Sequence, residues 1–390
     1  MDELLTRGVE DIIGREELEQ ALGSGRKLRI KFGVDPTRPD IHIGHAVVLH
    51  QLRQLQERGH TIIFLVGDYT TKIGDPSGKS KTRPVLEDDE ILANAQTYLD
   101  QVGKILDVKK AEIRRNSEWL SQLDFAALVK LASHISVAQL TEREDFKNRL
   151  QSGQELALHE LLYPLIQAYD SVMLEADVEF GGTDQLFNMM AGRALQKKLG
   201  QRPQVVWTSK LLVGLDGVKK MSKSLDNYIA ITDTALDMYG KVMSVPDNLI
   251  APYYELCTQI PQAVINELVK TLAEGANPRD SKASLAREIV RQYHGEAAAL
   301  KAEEAWNKQF RDGGRPEHIE EYTVSDSHLP LVDLLVEAGL AASKSEARRL
   351  IEQGGVRLDD TVQTPEAAPV FANHQILQVG KRRYLKLRVK

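Results

Sequence analysis

The clearest pattern of apolar and polar positions lies between residues 27 and 67. The apolar run KLRIKFGV (27–34) predicts a strand, HAVVLHQLRQLQERGH (45–60) has the periodicity of an amphipathic helix, and TIIFLVG (61–67) predicts a second strand. This order predicts a βαβ unit and therefore a parallel sheet.

Beyond this unit the pattern is mainly helical. Residues from about 75 to 160 predict a helical insertion, and ELLYPLIQAYDSVMLEADVEFGG (160–182) predicts a helix followed by a strand. After residue 227 helices dominate, and the polar, Gly- and Pro-containing stretch 310–328 predicts a linker. The last segment, 329–390, predicts a helix pair followed by strands. The predicted fold class is α/β.

Composition narrows the class of protein. Hydrophobic residues at 42% and charged residues at 27% are typical of a globular chain, and no apolar run is long enough to span a bilayer. The N-terminus is acidic and amphipathic, unlike a secretory signal or a transit peptide. The single cysteine, Cys257, excludes an intramolecular disulfide and favours a reducing compartment, although a cysteine-poor secreted protein would look the same. We therefore expect a cytoplasmic protein.

The charge is unevenly distributed. Residues 331–390 hold ten Lys/Arg against seven Asp/Glu, a local charge of +3, whereas the first 330 residues carry -9. The last ten residues, KRRYLKLRVK, contain six of those basic groups. A basic tail on an acidic body indicates contact with nucleic acid, although a solvated charged strand explains the tail equally well at this point.

The segment KIGDPSGKSKTR looks like a phosphate-binding P-loop but fails on spacing. A P-loop has four residues between its first glycine and Gly-Lys-Ser/Thr, whereas three residues separate Gly74 from Gly78. Lys79, Lys81 and Arg83 remain available to a phosphate, and a solvated loop is the alternative. Further along the chain, the segment VKKMSKSLDN (218–227) contains a second set of lysines that could bind a phosphate.

Lys220 and Lys223 lie three residues apart on a short, serine-rich segment. Two ammonium groups so placed can neutralise charge that develops on a reacting polyphosphate. An ordinary surface loop is the alternative interpretation.

His42 and His45 follow a proline-containing loop. A zinc site is improbable because no Cys or third ligand is nearby, and no serine or cysteine stands in a nucleophile elbow. The pair lies instead where a predicted strand leads into a helix, and free N–H groups at a helix N-terminus bind anions. Gly44 leaves room for a flat base to approach the backbone. Together these features predict a nucleoside triphosphate site.

DPTRPDIHIGH (35–45) with KMSKS (220–224) resembles the signature pair of class I aminoacyl-tRNA synthetases. Over nearly the whole chain the sequence is similar to the bacterial tyrosyl-tRNA synthetases, in the shorter, KMSKS-bearing branch. The matching segments are KFGVDPTRPDIHIGH, GDYTTKIGDPSGKSKTR, LLYPLIQAYD, FGGTDQLFN, LLVGLDGVKKMSKSLDN and the tail.

The resemblance implies three domains. They are a Rossmann-type parallel-sheet catalytic domain with a helical insertion at residues 1–227, an α-helical anticodon-region domain at 228–325 and a small α+β S4-like RNA-binding domain at 329–390. It implies tyrosine, ATP with Mg²⁺ and tRNA(Tyr) as reactants, no structural metal, a homodimer, and no membrane or DNA partner. A tryptophan–tRNA ligase and a non-catalytic RNA-binding protein are the alternatives.

The resemblance also assigns site residues. Stabilisation of the reacting phosphates falls to Thr37, His42, His45, Lys220 and Lys223. The other ATP-binding residues are Asp35, Gly44, Lys79, Arg83, Gly182 and Asp184. The tyrosine-binding residues are Asp75, Tyr163, Gln167, Asp170 and Gln185. The RNA-binding residues are Lys344, Arg348, Arg349, Arg382 and Arg383.

Spacing supports part of the tyrosine pocket independently. Tyr163, Gln167 and Asp170 stand at i, i+4 and i+7, on one face of a helix that is otherwise mostly apolar. Pro164 must lie in the first turn of this helix or kink it. A solvated polar face is the alternative. An acceptor at Asp170 would reject phenylalanine by about 10⁴–10⁵, because the buried carboxylate would be left unpaired, so no editing domain is expected.

Two positions depart from the family pattern. Lys31 stands where the best-known members of the family have a tyrosine that contacts the substrate hydroxyl, and Phe32 replaces a small residue near the ribose. We therefore expect phenol recognition to rest mainly on Asp170, with Lys31 facing elsewhere.

Overall fold

The computed structural model describes residues 3–37, 41–76, 87–310, 319–365, 367, 369–380 and 383–389. The chain divides into two compact units, Met1–Glu296 and Ala297–Lys390. The division into three domains, with boundaries near 227 and 325, stays a prediction.

The first unit is an α/β structure. Its described strands are β1 (Val9–Ile13), β2 (Arg29–Val34), β3 (Thr61–Val66), β4 (Glu112–Arg115), β5 (Val178–Gly182) and β6 (Val205–Ser209). Its described α-helices are α1 (Arg15–Gly23), α2 (Ile43–Glu57), α3 (Thr70–Ile73), α4 (Asp88–Val102), α5 (Ser117–Leu120), α6 (Phe125–Ala132), α7 (Val137–Thr141), α8 (Glu144–Gln151), α9 (Leu158–Met173), α10 (Leu186–Lys198), α11 (Ala235–Met243), α12 (Ile250–Cys257), α13 (Gln262–Ala273) and α14 (Pro278–His294). Short 3₁₀ turns are found at Glu3–Leu5, Thr183–Gln185, Lys223–Leu225 and Asp247–Leu249.

The described strands form a mainly parallel sheet in the order β1-β6-β5-β2-β3-β4. The predicted βαβ unit is confirmed, because β2 pairs in parallel with β3 from Arg29↔Thr61 to Val34↔Val66. Strands β3 and β4 lie on one side of β2, and β5 and β6 lie on the other; β1 is antiparallel to β6. The strand order therefore reverses between β2 and β5, and ligands of open α/β sheets bind at such a point.

Strand β4 corrects the prediction of a wholly helical insertion between about 75 and 160. Its four residues, EIRR, pair in parallel with β3 and extend the sheet. The sequence pattern hides this strand because Ile113 is its only apolar residue, and charged side chains are common on an edge strand.

The sheet and helix α9 share an apolar core. The β3 side chains Ile63 and Leu65 pack in one buried cluster with Ile166 of α9 and with Trp119. Helix α9 is thereby held against the sheet, and Pro164 lies in its interior beyond the first turn. The apolar contacts fix which face of α9 is directed at the carboxyl ends of the strands.

The second unit contains a smaller sheet. Its elements are α15 (Glu296–Phe310), β7 (Glu320–Val324), α16 (Leu331–Glu337), α17 (Lys344–Glu352), β8 (Val356–Leu358), β9 (Thr361–Val362), β10 (Ile376–Val379) and β11 (Arg383–Val389). The described strands have the order β7-β11-β10-β8-β9, with β7 parallel to β11. Leu334, Leu335, Val356 and Leu377 belong to its core. The predicted helix pair followed by strands is confirmed.

Strand β7 corrects the predicted linker at 310–328, of which residues 311–318 lie outside the described part. Val324 is buried in the core of the second unit, and β7 pairs with β11 along its whole length. The pairing depends on a strand 65 residues further along the chain, so no local pattern predicts it. Within the described residues, no helix has both the length and the apolar character needed to cross a membrane.

Candidate active site

A cavity of about 570 Å³ opens at the carboxyl ends of the parallel strands. Its lining includes Asp35 after β2, Gly67 after β3, Asn116 after β4, Gly182 at the end of β5 and Lys210 after β6. These residues line one cavity because the carboxyl ends of parallel strands meet at one edge of the sheet.

The cavity brings together the predicted site residues that the structure describes in the first unit. They are Asp35, Thr37, His42, Gly44, His45, Asp75, Tyr163, Gln167, Asp170, Gly182, Asp184, Gln185, Lys220 and Lys223. Lys79 and Arg83 lie outside the described residues. The roles of all these residues stay predictions.

The start of α2 is tied to the chain that follows the KMSKS segment. The Ile43 N–H donates to the Ile229 carbonyl at 3.0 Å, and the Ile231 N–H donates to the Ile41 carbonyl at 3.1 Å. His42, the residue before α2, forms a bridge with Ala230 between these bonds. Backbone pairing therefore holds two distant motifs beside one another.

The rings of His42 and His45 stack inside the cavity, with centroids 3.7 Å apart and planes at 20°. The His42 backbone N–H donates to Nδ1 of His45 at 3.3 Å, so the proton of a neutral His45 ring stands on Nε2. A Cβ on Gly44 would lie 3.0 Å from Nδ1 of His42, so glycine allows the ring to lie against the backbone.

Both imidazoles are neutral at pH 7. Burial, His45 and the ammonium groups of Lys223 and Lys220 lower the pKa of His42 to about 2. Desolvation within the cavity and the same two lysines lower the pKa of His45 to about 4, although the residue as a whole is exposed. Neutral rings retain N–H donors and do not act as general acids at pH 7.

The two lysines of the KMSKS segment also face the cavity. Lys220 Nζ lies 3.3 Å from Oδ2 of Asp184, and Lys223 Nζ lies 5.8 Å from the centre of the Tyr228 ring. The first contact is exposed, so it leaves the Lys220 ammonium exchangeable with another anion.

Buried Asn227 fixes the shape of this segment. Its Oδ1 accepts from the Ser222 N–H at 2.7 Å, and its Nδ2 donates to Oδ2 of Asp216 at 2.8 Å. Gly214 allows the close approach, because a Cβ there would lie 2.3 Å from Nδ2 of Asn227.

A hydrogen-bonded cluster joins the ends of β2 and β3 to α9. Tyr163 Oη donates to Oδ2 of Asp35 at 2.9 Å, and Thr70 Oγ1 donates to Oδ1 of Asp35 at 2.7 Å. A Cβ on Gly67 would lie 2.1 Å from Oδ1 of Asp35, so only glycine fits there. Burial and the charges of Asp35 and Asp75 raise the pKa of Tyr163 well above its usual value, so its hydroxyl remains a donor.

Asp170 is a buried carboxylate with two neutral donors. Trp119 Nε1 donates to Oδ1 at 2.8 Å, and Asn116 Nδ2 donates to Oδ2 at 3.3 Å. Burial raises the pKa of Asp170 to about 6, although the Lys31 charge and both hydrogen bonds oppose the shift. The group is mostly ionised at pH 7 and can accept a further hydrogen bond.

Lys31 does not face elsewhere, as the sequence led us to expect, but lines the same cavity. It is 1% exposed, and its Nζ lies 2.9 Å from Oε1 of Glu179, its register partner on β5. The expectation was wrong because the acceptors for this ammonium come from β5 and α9, far along the chain. Phe32 also lines the cavity and packs edge-on against Phe64.

Sequence reasoning missed several residues that contact the predicted site. Asn116 and Trp119 follow β4. Their position just after a strand was the signal that could have placed them, and it was lost because β4 was not predicted. Gln185 Nε2 donates to Oδ2 of Asp75 at 2.8 Å, which makes Gln185 a partner of Asp75 as well as a cavity residue. Polar residues immediately after a strand were the available signal.

The described basic residues predicted to contact RNA are exposed in the second unit. Lys344, Arg348 and Arg349 belong to α17, and Lys344 forms a 2.7 Å ion pair with Asp333. Arg383 opens β11 and donates to the Leu340 carbonyl at 2.5 Å. Arg382 lies outside the described residues.

A mainly parallel sheet with stacked histidines at a helix start, and a lysine pair lining the same cavity, agrees with the site that the sequence predicts for a class I tRNA synthetase. Residues 24–311 match the family of class I tRNA synthetases for tryptophan and tyrosine, and residues 329–368 match the S4 domain family. The tyrosine–tRNA ligase of Mannheimia succiniciproducens is 48% identical over 99% of this chain and 98% of its own length. That of Moorella thermoacetica is 48% identical over 98% of this chain and 94% of its own length.

Solved structures agree with this assignment. The tyrosyl-tRNA synthetase of Archaeoglobus fulgidus, solved with L-tyrosine, has a TM-score of 0.63 at 26% identity, covering 77% of this chain and 98% of that one. A truncated mitochondrial tyrosyl-tRNA synthetase of Aspergillus nidulans has a TM-score of 0.65 at 23% identity, covering 79% and 93%, and supports the fold alone. The chain belongs to the tyrosine–tRNA ligases.

Proposed function

We propose that the cavity binds L-tyrosine and Mg-ATP, forms tyrosyl-adenylate and passes the tyrosyl group to the terminal adenosine of tRNA(Tyr). One observation carries the proposal: the neutral pair His42 and His45, the two KMSKS lysines and buried Asp170 line a single cavity at the point where the strand order reverses. A tyrosine whose phenolic hydroxyl contacts Asp170 would direct its carboxylate at a triphosphate beside the histidines.

In the first step a carboxylate oxygen of tyrosine attacks the α-phosphorus of ATP. The bond between the α-phosphorus and the bridging oxygen breaks, and pyrophosphate leaves with the electron pair. No proton has to move, so the residues act by position and charge. N–H groups of His42 and His45 and the hydroxyl of Thr37 donate to phosphate oxygens, and Mg²⁺ enters on the phosphates of ATP.

Lys220 and Lys223 neutralise the departing pyrophosphate. Their charges already act on the histidine rings, which supports a location beside the phosphates. Lys79 and Arg83, which lie outside the described residues, are proposed to hold the pyrophosphate from the other side. Gly182, Asp184 and Asp35 are proposed to face the ribose.

The amino-acid pocket lies along the polar face of α9. Asp170 accepts the phenolic hydroxyl, while Asp75, Tyr163 and Gln167 hold the ammonium group. Gln185 orients Asp75 through their 2.8 Å bond. Phenylalanine would leave the buried Asp170 carboxylate without this hydrogen bond, and such sites discriminate by about 10⁴–10⁵. A tryptophan indole offers no hydroxyl at the same place.

In the second step a ribose hydroxyl of the terminal adenosine attacks the tyrosyl carbonyl carbon. The mixed anhydride bond breaks, AMP leaves with the electron pair and its phosphate takes up the proton of the hydroxyl, and an ester to tRNA forms. Lys344, Arg348, Arg349, Arg382 and Arg383 of the S4 domain are proposed to contact RNA phosphates, which position the RNA without reading its sequence. We propose the cytoplasm as the location of the protein, with no membrane or DNA partner.

A second copy of this chain is the proposed protein partner. Four apolar side chains of the α6–α9 region are strongly exposed: Phe125 at 82%, Leu158 at 75%, Val137 at 66% and Val129 at 53%. Light scattering should give twice the 43.6 kDa chain mass. A mass of one chain at micromolar concentration would contradict the dimer.

Amino-acid-dependent ATP–pyrophosphate exchange tests the proposed activity. We expect exchange with tyrosine, and rates lower by several orders of magnitude with phenylalanine and tryptophan. Exchange with tryptophan alone would support the tryptophan alternative, and no exchange with any amino acid would support a non-catalytic RNA-binding protein.

A further inference from the structure

An ion pair is buried in the wall of the proposed amino-acid pocket. Lys31 and Glu179 face each other on neighbouring strands, with 1% and 2% of their side chains exposed. Both residues line the cavity. Burying such a pair is often no more stabilising than burying apolar residues of the same volume, so stability alone is a weak reason for it.

The ammonium group of Lys31 has a complete set of acceptors. Its Nζ lies 2.9 Å from Oε1 of Glu179, 2.9 Å from Oγ of Ser171 and 3.0 Å from the Gln167 carbonyl. An ammonium group has three protons to donate, and each has a partner here. Two of the partners belong to α9, so Lys31 attaches this helix to β2 and β5.

Glu179 completes the attachment from the other side. It accepts from Nε2 of Gln167 at 3.1 Å and from Oγ of Ser171 at 3.1 Å. Because Asp170 lies between Gln167 and Ser171 on the same helix, the pair fixes the rotation of the helical face that carries Asp170.

Lys31 also acts on Asp170 by its charge. The nearby positive charge favours the ionised form of this buried carboxylate, while the negative charge of Glu179 acts in the opposite direction. The groups that act on Asp170 from the surrounding elements are Lys31 of β2, Glu179 of β5, Trp119 of α5 and Asn116 beside it; Tyr163 of α9 is also within reach of its charge.

We propose that Lys31, held by Glu179, Ser171 and the Gln167 carbonyl, is a specificity-determining positioning residue for the amino acid. It fixes the face of α9 and keeps Asp170 available as a charged acceptor for the phenolic hydroxyl. This inference rests on the proposed function, because it concerns the same tyrosine pocket.

The test compares binding of tyrosine and phenylalanine, by calorimetry without ATP, in the full chain. The informative variant is the double substitution Lys31→Met with Glu179→Gln, because it removes both charges together and leaves neither buried charge unpaired. We expect its tyrosine Kd to rise about tenfold, the equivalent of one pKa unit, while its phenylalanine Kd changes less than about threefold.

Two controls separate charge from packing. Glu179→Gln alone keeps the Lys31 charge and should retain most of the tyrosine preference. The substitution Arg149→Met with Glu160→Gln removes another buried ion pair, one that anchors α9 outside the cavity, and should leave both Kd values unchanged.

The outcomes distinguish this inference from the proposed function. Failure of the unmodified chain to bind tyrosine would overturn both. The role of Lys31 alone would be overturned by a second result. In it, the unmodified chain binds tyrosine normally, and the Lys31→Met, Glu179→Gln variant has an unchanged ratio of phenylalanine Kd to tyrosine Kd. An equal loss in the Arg149→Met, Glu160→Gln control would also overturn it, because anchoring of α9 would then suffice.

Discussion

The imidazole rings of His42 and His45 stack with their centroids 3.7 Å apart, and the backbone N–H of His42 donates to Nδ1 of His45. Two rings so close cannot both hold a positive charge, and Lys220 and Lys223 add to the repulsion. The relationship makes this motif a pair of neutral donors at a helix N-terminus, suited to phosphate oxygens and unsuited to proton transfer.

The pH dependence of adenylate formation tests whether the two imidazoles act as neutral donors. Since the pKa values of His42 and His45 are lowered to about 2 and about 4, both rings are neutral throughout pH 6–8. The single-turnover rate at saturating substrates should therefore not fall as pH rises through 6.5. His45→Asn, which keeps an N–H donor, should be more active than His45→Ala, which should lose about 10²–10³ in rate. A rate that decreases tenfold per pH unit above 6.5 would show that an imidazolium is required.

Replacing Lys223 by methionine should slow activation without weakening tyrosine binding. The ammonium group is proposed to act on pyrophosphate, so its charge matters only as the α-phosphorus reacts. We expect a loss of about 10²-fold or more in the single-turnover rate, with tyrosine Kd changed less than about twofold. Lys219→Met is the matched control, because Lys219 is exposed and does not line the cavity. A raised Kd with an unchanged rate would contradict the role.

Tyrosine binding should depend on pH through Asp170. Burial raises the pKa of this carboxyl to about 6, so it takes up a proton well before an ordinary aspartate as pH falls. Tyrosine Kd should therefore be constant above pH 7 and rise below about 6, whereas phenylalanine Kd should change little. Asp170→Asn should lower the preference for tyrosine, measured as the ratio of phenylalanine Kd to tyrosine Kd, by about 10² or more. Parallel pH dependence for both amino acids would mean that Asp170 does not contact the phenol.

Arg348→Ala with Arg349→Ala should weaken tRNA binding and leave tyrosine-dependent exchange intact. Each phosphate contact contributes a slope of about 0.7–0.9 to the dependence of log K on log salt, so the slope should fall by about 1.4–1.8. Filter binding at several salt concentrations measures it. Lys109→Ala with Lys110→Ala removes two exposed charges from the first unit and is the control. An unchanged slope would exclude these arginines from the RNA contact.

Local patterns predicted the elements that carry the site. The βαβ unit was readable because β2, α2 and β3 show clear periodicity, and the polar face of α9 because Tyr163, Gln167 and Asp170 follow helical spacing. The carboxyl ends of the parallel strands lie at one edge of the sheet, and the separate motifs therefore line one cavity.

Contacts between distant segments were not predictable in this way. Tyr163 and Asp35 are 128 residues apart, and their bond depends on how α9 packs on the sheet. The partner of Lys31 depends on the register between β2 and β5. Strand β4 has one apolar residue, so its backbone pairing outweighs a local pattern that does not favour a strand.

Aminoacylation of a bacterial tRNA(Tyr) transcript with labelled tyrosine tests the central claim most directly, because it requires both proposed steps in one assay. We predict tyrosine attached to intact tRNA, no product with tRNA whose terminal ribose has been oxidised by periodate, and no attachment of labelled tryptophan. Exchange of pyrophosphate without any charged tRNA, or charging with tryptophan, would contradict the account.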